Sequence, residues 1–84
     1  AHGPAQSQVR EIIDYYLAHR QEREAKILAV LATQALSIPE MVKLIYTDVP
    51  LSRHPLAELS VQAHLEKLAA EGQVSRQGER FALN

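Results

Sequence analysis

The sequence contains no cysteine. That absence excludes disulfide bonds, thiolate-bound metal ions and a cysteine nucleophile. No apolar stretch approaches the ~20 residues that a membrane-spanning helix requires, and the N-terminus lacks the basic and apolar pattern of a secretory signal. The sequence therefore predicts a cytoplasmic protein without a membrane partner.

The sequence also lacks an excess of positive charge. Nine Lys and Arg residues face ten Asp and Glu residues, which gives a formal net charge of −1. Dedicated nucleic-acid-binding domains usually carry a clear basic excess, so this balance disfavours that class. Apolar residues make up 46% of the 84 residues, which is enough for the core of one domain.

Glycine and proline are both missing from Gln6 to Ala35. Within this stretch, apolar residues recur at helical spacing in two groups: Val9, Ile12, Ile13, Tyr16 and Leu17, then Ile27, Leu28 and Leu31. A polar belt at residues 19–24 separates them. The pattern predicts one long helix or two abutting helices, with two apolar faces that pack against different bodies.

Signals for a second helix begin at Ser37. This serine is the predicted N-cap, Pro39 falls in the first turn, and Glu40 stands three residues after the cap. The predicted buried face consists of Met41, Val42, Leu44 and Ile45. The helix is expected to end before Pro50.

A third helix is predicted from about Pro55 to Glu71, with Gly72 ending it. Its apolar positions are Leu56, Leu59, Val61, Leu65 and Leu68, and the pair Leu65 and Leu68 is predicted to fill the three-helix core. Residues 73–84 then alternate in polarity around Gly78, which predicts a short β-hairpin.

The order of helix, helix, loop, helix and hairpin is typical of a winged helix. We therefore predict a mainly α fold, in which a three-helix core carries a C-terminal β-hairpin wing and follows an N-terminal linker helix. Residues 1–24 are assigned to the linker and N-terminal helix, and residues 25–84 to the winged-helix domain.

Several motifs in order resemble one family. They are His2-Gly3-Pro4, Ile13-x-Tyr15, His19-Arg20-x-x-Arg23-Glu24-x-x-Ile27-Leu28, Met41-Val42-Lys43-Leu44-Ile45-Tyr46, and Ala63-His64-Leu65-x-Lys67-Leu68-x-x-Glu71-Gly72. Together they are similar to the C-terminal end of metallo-β-lactamase-fold hydrolases of the lactamase-beta-like protein two type. The resemblance implies a zinc hydrolase parent, in which His2 is the last zinc ligand. Some members of that family cleave single-stranded RNA.

The resemblance further implies an accessory role. The winged helix would pack on the N-terminal hydrolase domain of the same chain and shape substrate access, with no catalysis and no cofactor of its own. The belt residues His19, Arg20, Arg23 and Glu24 are candidates for that docking. The simpler interpretation is that Arg20 and Glu24, four residues apart, form an exposed ion pair.

A rival interpretation is a stand-alone winged-helix module that binds nucleic acid or dimerises. The third helix carries Glu58, Glu66 and Glu71 against Lys67, a net charge of −2 that repels phosphates. A single-stranded RNA contact is more compatible with the wing, where Arg76, Arg80 and Phe81 combine charge with a stacking surface. The first apolar group of the N-terminal helix is expected to lie outside the core and to drive formation of a homodimer.

The histidines do not have the spacing of a local metal site. They stand at His2, His19, His54 and His64, and no two are four residues apart on one helix. We therefore predict that the 84 residues bind no zinc by themselves, and that His64 is a half-buried helix residue whose ring forms a hydrogen bond across the core.

Overall fold

The computed structural model describes the backbone of residues 3–84 and the side chains from residue 8 onward. Within this range the elements are α1 (Gly3–Leu31), β1 (Leu36–Ser37), α2 (Ile38–Ile45), a 3-10 turn (Leu51–Arg53), α3 (His54–Ala70), β2 (Val74–Gln77) and β3 (Arg80–Leu83). The predicted mainly α winged helix is confirmed. The N-terminal stretch forms one uninterrupted helix, the first of the two predicted alternatives, and it ends at Leu31, before the end of the stretch that lacks glycine and proline.

The wing includes a strand that the sequence pattern does not predict. β1 pairs with β3 in antiparallel fashion, with Leu36 opposite Phe81, and the strand order is β1-β3-β2. β2 and β3 form the predicted hairpin, closed by the pair Gln77 and Arg80 around a two-residue turn. Gly78 begins that turn with φ 66°, a left-handed conformation that glycine adopts without steric cost.

The ends of α2 and α3 follow from local chemistry. The Ser37 hydroxyl accepts a hydrogen bond from the Glu40 backbone N–H, and the Glu40 carboxylate accepts one from the Ser37 N–H. This reciprocal cap confirms the predicted start of α2. Gly72, with φ 77°, follows α3 as predicted, and the N–H of Gln73 donates to the carbonyl of Leu68.

A single core lies between the helices and the sheet. Its buried apolar residues are Ile27, Leu31, Leu36, Met41, Val42, Tyr46, Ala57, Val61, Leu65, Leu68 and Val74. The predicted inward positions of Leu65 and Leu68 are confirmed, since each is 1% exposed.

The predicted burial of Leu44 on α2 is wrong, since this side chain is 53% exposed. On α3, the apolar positions Leu56 and Leu59 are 68% and 63% exposed and lie outside the core. On α3 the buried face runs through Ala57, Val61, Leu65 and Leu68. Leu56 and Leu59 lie roughly 140–160° around the helix from Val61, at about 100° per residue, so they point away from the core. On α2, Met41 and Val42 occupy the buried face instead of Leu44.

The outer part of α1 extends beyond this core. Every described side chain from residue 8 to residue 22 is exposed, and Ile27 is the first apolar residue of the helix to be buried. The molecule accordingly measures 53 × 31 × 17 Å. Ile13, Leu17, Glu24, Ile27 and Leu31 share one face of the helix because they are spaced by three, four or seven residues. The face that enters the core therefore continues along the exposed half.

Candidate docking site

A carboxylate is buried where α1 leaves the core. Glu24 is 8% exposed and is the one charged residue classed as buried among the described residues. Its Oε1 accepts a hydrogen bond from Lys67 Nζ at 2.8 Å, and its Oε2 lies 3.0 Å from Nδ1 of His64. Arg20 Nε approaches the same Oε2 at 3.4 Å. We call Arg20, Glu24, His64 and Lys67 the α1–α3 clamp.

The surroundings of Glu24 in the clamp favour the ionised form of its carboxyl group. Burial raises the pKa of Glu24, but the hydrogen bonds from Lys67 and His64, with the charges of these two residues, outweigh that effect and bring the pKa below its ordinary value. The hydrogen bond to Glu24, with a second to Glu71, raises the pKa of Lys67. At neutral pH the clamp therefore holds α1 against α3 through an ionised Glu24–Lys67 pair.

The four belt residues predicted to dock have different surroundings in the structure. Glu24 is buried in the clamp, and the guanidinium of Arg23 lies 4.1 Å from the ring centroid of the buried Tyr46. Arg20 reaches the clamp from a side chain that is 52% exposed. His19 is exposed, and its ring lies 4.2 Å from that of Tyr15. Glu24 and Arg23 thus secure α1 on its own domain, and docking by the four residues stays a prediction.

The simpler interpretation, an exposed ion pair of Arg20 and Glu24, accounts for only part of the contacts of Glu24. The pair is present, but Glu24 is buried and its other partners come from α3. His64 forms its cross-core contact, as predicted. Sequence reasoning did not find Lys67 as a partner, since it lies 43 residues from Glu24.

An apolar surface covers the exposed half of α1. Val9, Ile12, Ile13, Tyr16 and Leu17 are between 52% and 68% exposed, and we call these five residues the α1 stripe. Tyr15 beside them is 60% exposed. The prediction that this group lies outside the core is confirmed. Contiguous apolar surface of this kind usually marks a contact with another body.

The wing residues predicted to touch RNA have contacts within the domain. Arg76 Nε donates to the Gly78 carbonyl at 2.8 Å, and its guanidinium lies 6.0 Å from the Phe81 ring centroid. Arg80 Nη2 lies 3.8 Å from Oε1 of Glu40. Phe81 is half-buried against the core. The RNA contact stays a prediction, and these contacts do not favour it.

The outward face of α3 also lacks the properties of a surface that binds nucleic acid. Leu56, Leu59 and Glu66 are exposed there, where a DNA-reading helix would present cations and amides. Phosphate neutralisation dominates the affinity of DNA-binding proteins, and this face offers little of it. A protein surface suits such a mixture of leucine and carboxylate better.

Among the described side chains, no group of three or more His, Asp or Glu residues is placed to hold a metal ion. His64 contacts Glu24, whereas His54 Nε2 lies 3.1 Å from the Val49 carbonyl oxygen. His2, the predicted zinc ligand of the full-length protein, lies outside the described residues. No helix in the described part of the chain is both long and apolar enough to cross a membrane.

Comparison with known proteins gives concordant matches. The family described as "Beta-lactamase associated winged helix domain" matches residues 37–81. The "Beta-lactamase-like protein 2 homolog" of Drosophila melanogaster is 35% identical over 65 residues, which cover 74% of this chain and 22% of that protein. The protein of the same name from Caenorhabditis elegans is 32% identical over 74 residues, which cover 87% of this chain and 25% of that protein. The chain thus spans a quarter or less of the length of these two relatives.

Proposed function

Since the chain belongs to the family of β-lactamase-associated winged-helix domains, we propose that it is the accessory domain of a zinc-dependent β-lactamase-fold hydrolase. In this proposal it packs on the catalytic domain of the same protein and shapes substrate access. It supplies no catalysis by itself. The observation that carries the proposal is the α1 stripe, an exposed apolar surface on a helix that is fixed to the winged-helix core.

The α1 stripe has the properties of half an interface. Burying a large apolar side chain that is otherwise exposed stabilises an assembly by about 1.5–3 kcal/mol, and the stripe offers five such side chains. The catalytic domain is the occupant we propose, because at least three quarters of each matched relative lies outside the region shared with this chain.

The direction of the stripe defines how the two domains would meet. It continues the α1 face that carries Glu24 and Ile27, so a body on the stripe would also lie next to the α1–α3 clamp. Lys67 and Arg20 of the clamp are both partly exposed and would face that body. The winged helix would then be held beside the catalytic domain at a fixed orientation, which allows it to border the substrate entrance.

Zinc belongs to the catalytic domain in this proposal, with His2 as one ligand. A zinc ion supplies hydrolytic chemistry by lowering the pKa of a bound water and polarising the scissile group. We expect His2→Ala in the full-length protein to lower its zinc content, measured by elemental analysis. His54→Ala is the control and should leave zinc content unchanged. Equal zinc contents in the two variants would show that His2 is not a zinc ligand.

The docking itself is tested in the full-length protein with Ile13→Glu and Leu17→Glu. Both side chains are 52% exposed on α1, so the changes spare the winged-helix core. We expect each charge to separate the two domains and to increase the maximum dimension measured by small-angle X-ray scattering. Leu51→Glu is the matched control, because Leu51 is 77% exposed and lies outside the α1 stripe. Scattering from both stripe variants that matches wild type would refute the proposed interface.

The same surface should cause the 84-residue chain to self-associate when the catalytic domain is not attached. A two-fold dimer is expected, because that symmetry is the commonest for such contacts. Sedimentation velocity should show a dimer for the wild-type chain and monomers for Ile13→Glu and Leu17→Glu. A wild-type monomer at high concentration, or variants that remain dimeric, would show that the stripe is not adhesive.

A further inference from the structure

A groove lies on the opposite side of α3 from α1. It has a volume of about 740 Å³ and runs between α3, the start of α2 and the wing. Its apolar lining includes Ile38, Pro39, Leu59, Leu65 and Phe81. Gln62, which also lines the groove, lies roughly 140–160° around α3 from His64 and Lys67. The groove therefore lies on a different side of α3 from the α1–α3 clamp, and ligand binding there does not require docking on the α1 stripe.

The rim of the groove is acidic. Glu58 and Glu66 line it from α3 and Glu79 from the hairpin turn, whereas Arg76 is the cation on the rim. Among the described side chains, none of these three carboxylates takes part in an ion pair. The guanidinium of Arg76 already donates to the Gly78 carbonyl. The rim therefore presents negative charge around an apolar floor.

This combination selects against two kinds of ligand. Nucleic acid is disfavoured because the carboxylates repel its phosphates. Sites for small molecules enclose most of the ligand surface, whereas most side chains along this groove are exposed, Leu59 among them at 63%. A polypeptide segment with positive charge and an apolar anchor is complementary to both the rim and the floor.

We propose that the groove binds a short extended segment of a partner protein with the pattern basic–x–apolar–x–basic. Glu58 and Glu66 are eight residues apart on α3, which places them about 12 Å apart along the helix axis at 1.5 Å per residue. In an extended chain, residues four apart span about 13 Å and point to the same side. The two basic side chains can thus reach Glu58 and Glu66 while the apolar residue midway between them faces Leu59 and Phe81.

The proposal is tested with a fluorescein-labelled peptide of sequence Gly-Lys-Ser-Leu-Ser-Lys-Gly, titrated with the chain and followed by fluorescence anisotropy. We expect saturable binding, and at least about tenfold weaker binding for a peptide with glutamate in place of both lysines. Glu58→Lys combined with Glu66→Lys should weaken binding of the lysine peptide to a similar extent. The control is Glu11→Lys with Glu22→Lys, which changes the net charge equally but alters exposed residues of α1.

A second pair of variants tests the apolar anchor. Leu59→Ser should weaken binding severalfold, whereas Leu56→Ser should not, because both leucines are exposed on α3 but only Leu59 lines the groove. Circular dichroism checks that every variant is folded. Four results would each overturn the proposal: no binding of the lysine peptide, equal binding of the glutamate peptide, unchanged affinity in the folded Glu58→Lys/Glu66→Lys variant, or tighter binding of a single-stranded RNA oligomer that Leu59→Ser weakens.

Discussion

Leu65→Ala is expected to lower the free energy of unfolding by about 2–5 kcal/mol, and Leu68→Ala by a similar amount. Each side chain is 1% exposed in the core between α3, α1 and α2. Truncation removes buried methyl groups and leaves a cavity that close-packed neighbours fill only in part. Small domains have about 5–15 kcal/mol of stability in total, so either change removes a large share of it.

The measurement is urea unfolding at 25 °C followed by circular dichroism. Leu56→Ala is a suitable control because it makes the same chemical change on the same helix at a side chain that is 68% exposed. Its effect should stay within about 0.5 kcal/mol, as is usual for surface positions. Unfolding curves of Leu65→Ala and Leu68→Ala that coincide with wild type would mean that α3 presents a different face to the core.

Glu24→Gln is expected to destabilise the chain by about 1–3 kcal/mol at neutral pH. Glutamine keeps the size of the side chain but gives up the charge-assisted hydrogen bonds that Glu24 accepts from Lys67 and His64. We expect a value near the lower end of this range. The Lys67 side chain is 38% exposed, so solvent weakens its electrostatic attraction to Glu24. Urea unfolding of the two proteins measures the difference, with Glu22→Gln on the exposed face of α1 as the control.

The same difference should depend on pH, with a defined sign. The pKa of Glu24 is lowered in the folded state, so its contribution to stability is fully present above the ordinary carboxyl pKa and is lost as pH falls through the lowered pKa. Wild type and Glu24→Gln should therefore differ at neutral pH and converge in acid, where Glu24 is protonated and resembles glutamine. A difference that is equally large at both pH values would contradict the ionised clamp.

Signals carried by neighbouring residues predicted much of the fold. Ser37 and Glu40 define the start of α2 because both partners of the cap lie within four residues. Gly72 and Gly78 mark the end of α3 and the hairpin turn because each adopts a positive φ. The family resemblance, which also depended on short motifs in order, is confirmed by the match over residues 37–81.

Features that depend on tertiary packing were harder to predict. α3 carries apolar residues around most of its circumference, so spacing alone could not decide that Val61 faces inward and Leu59 outward. β1 has two residues, too few to show any alternation in polarity. The register that pairs Leu36 with Phe81 depends on how the helices bring distant segments together.

In the candidate site, too, local sequence patterns could be predicted, whereas contacts between distant residues could not. The α1 stripe could be predicted because a polar belt interrupts an otherwise regular helical pattern. The role of that belt could not, because the α3 partners of Glu24 lie 40 and 43 residues further along the chain. The spacing of His64 and Lys67, three residues apart on one helix, is the signal that could have suggested a shared partner.

The clamp also has a mechanical consequence. α1 is an unbroken rod whose pivot lies at Glu24, and its far end at Gly3 is about 30 Å away at 1.5 Å per residue. Over such a lever arm, a tilt of about 10° at the pivot displaces the tip by about 5 Å, which is the pitch of one helical turn. The contacts of Glu24 and Arg23 at the edge of the core therefore limit how far the exposed end of α1 can move.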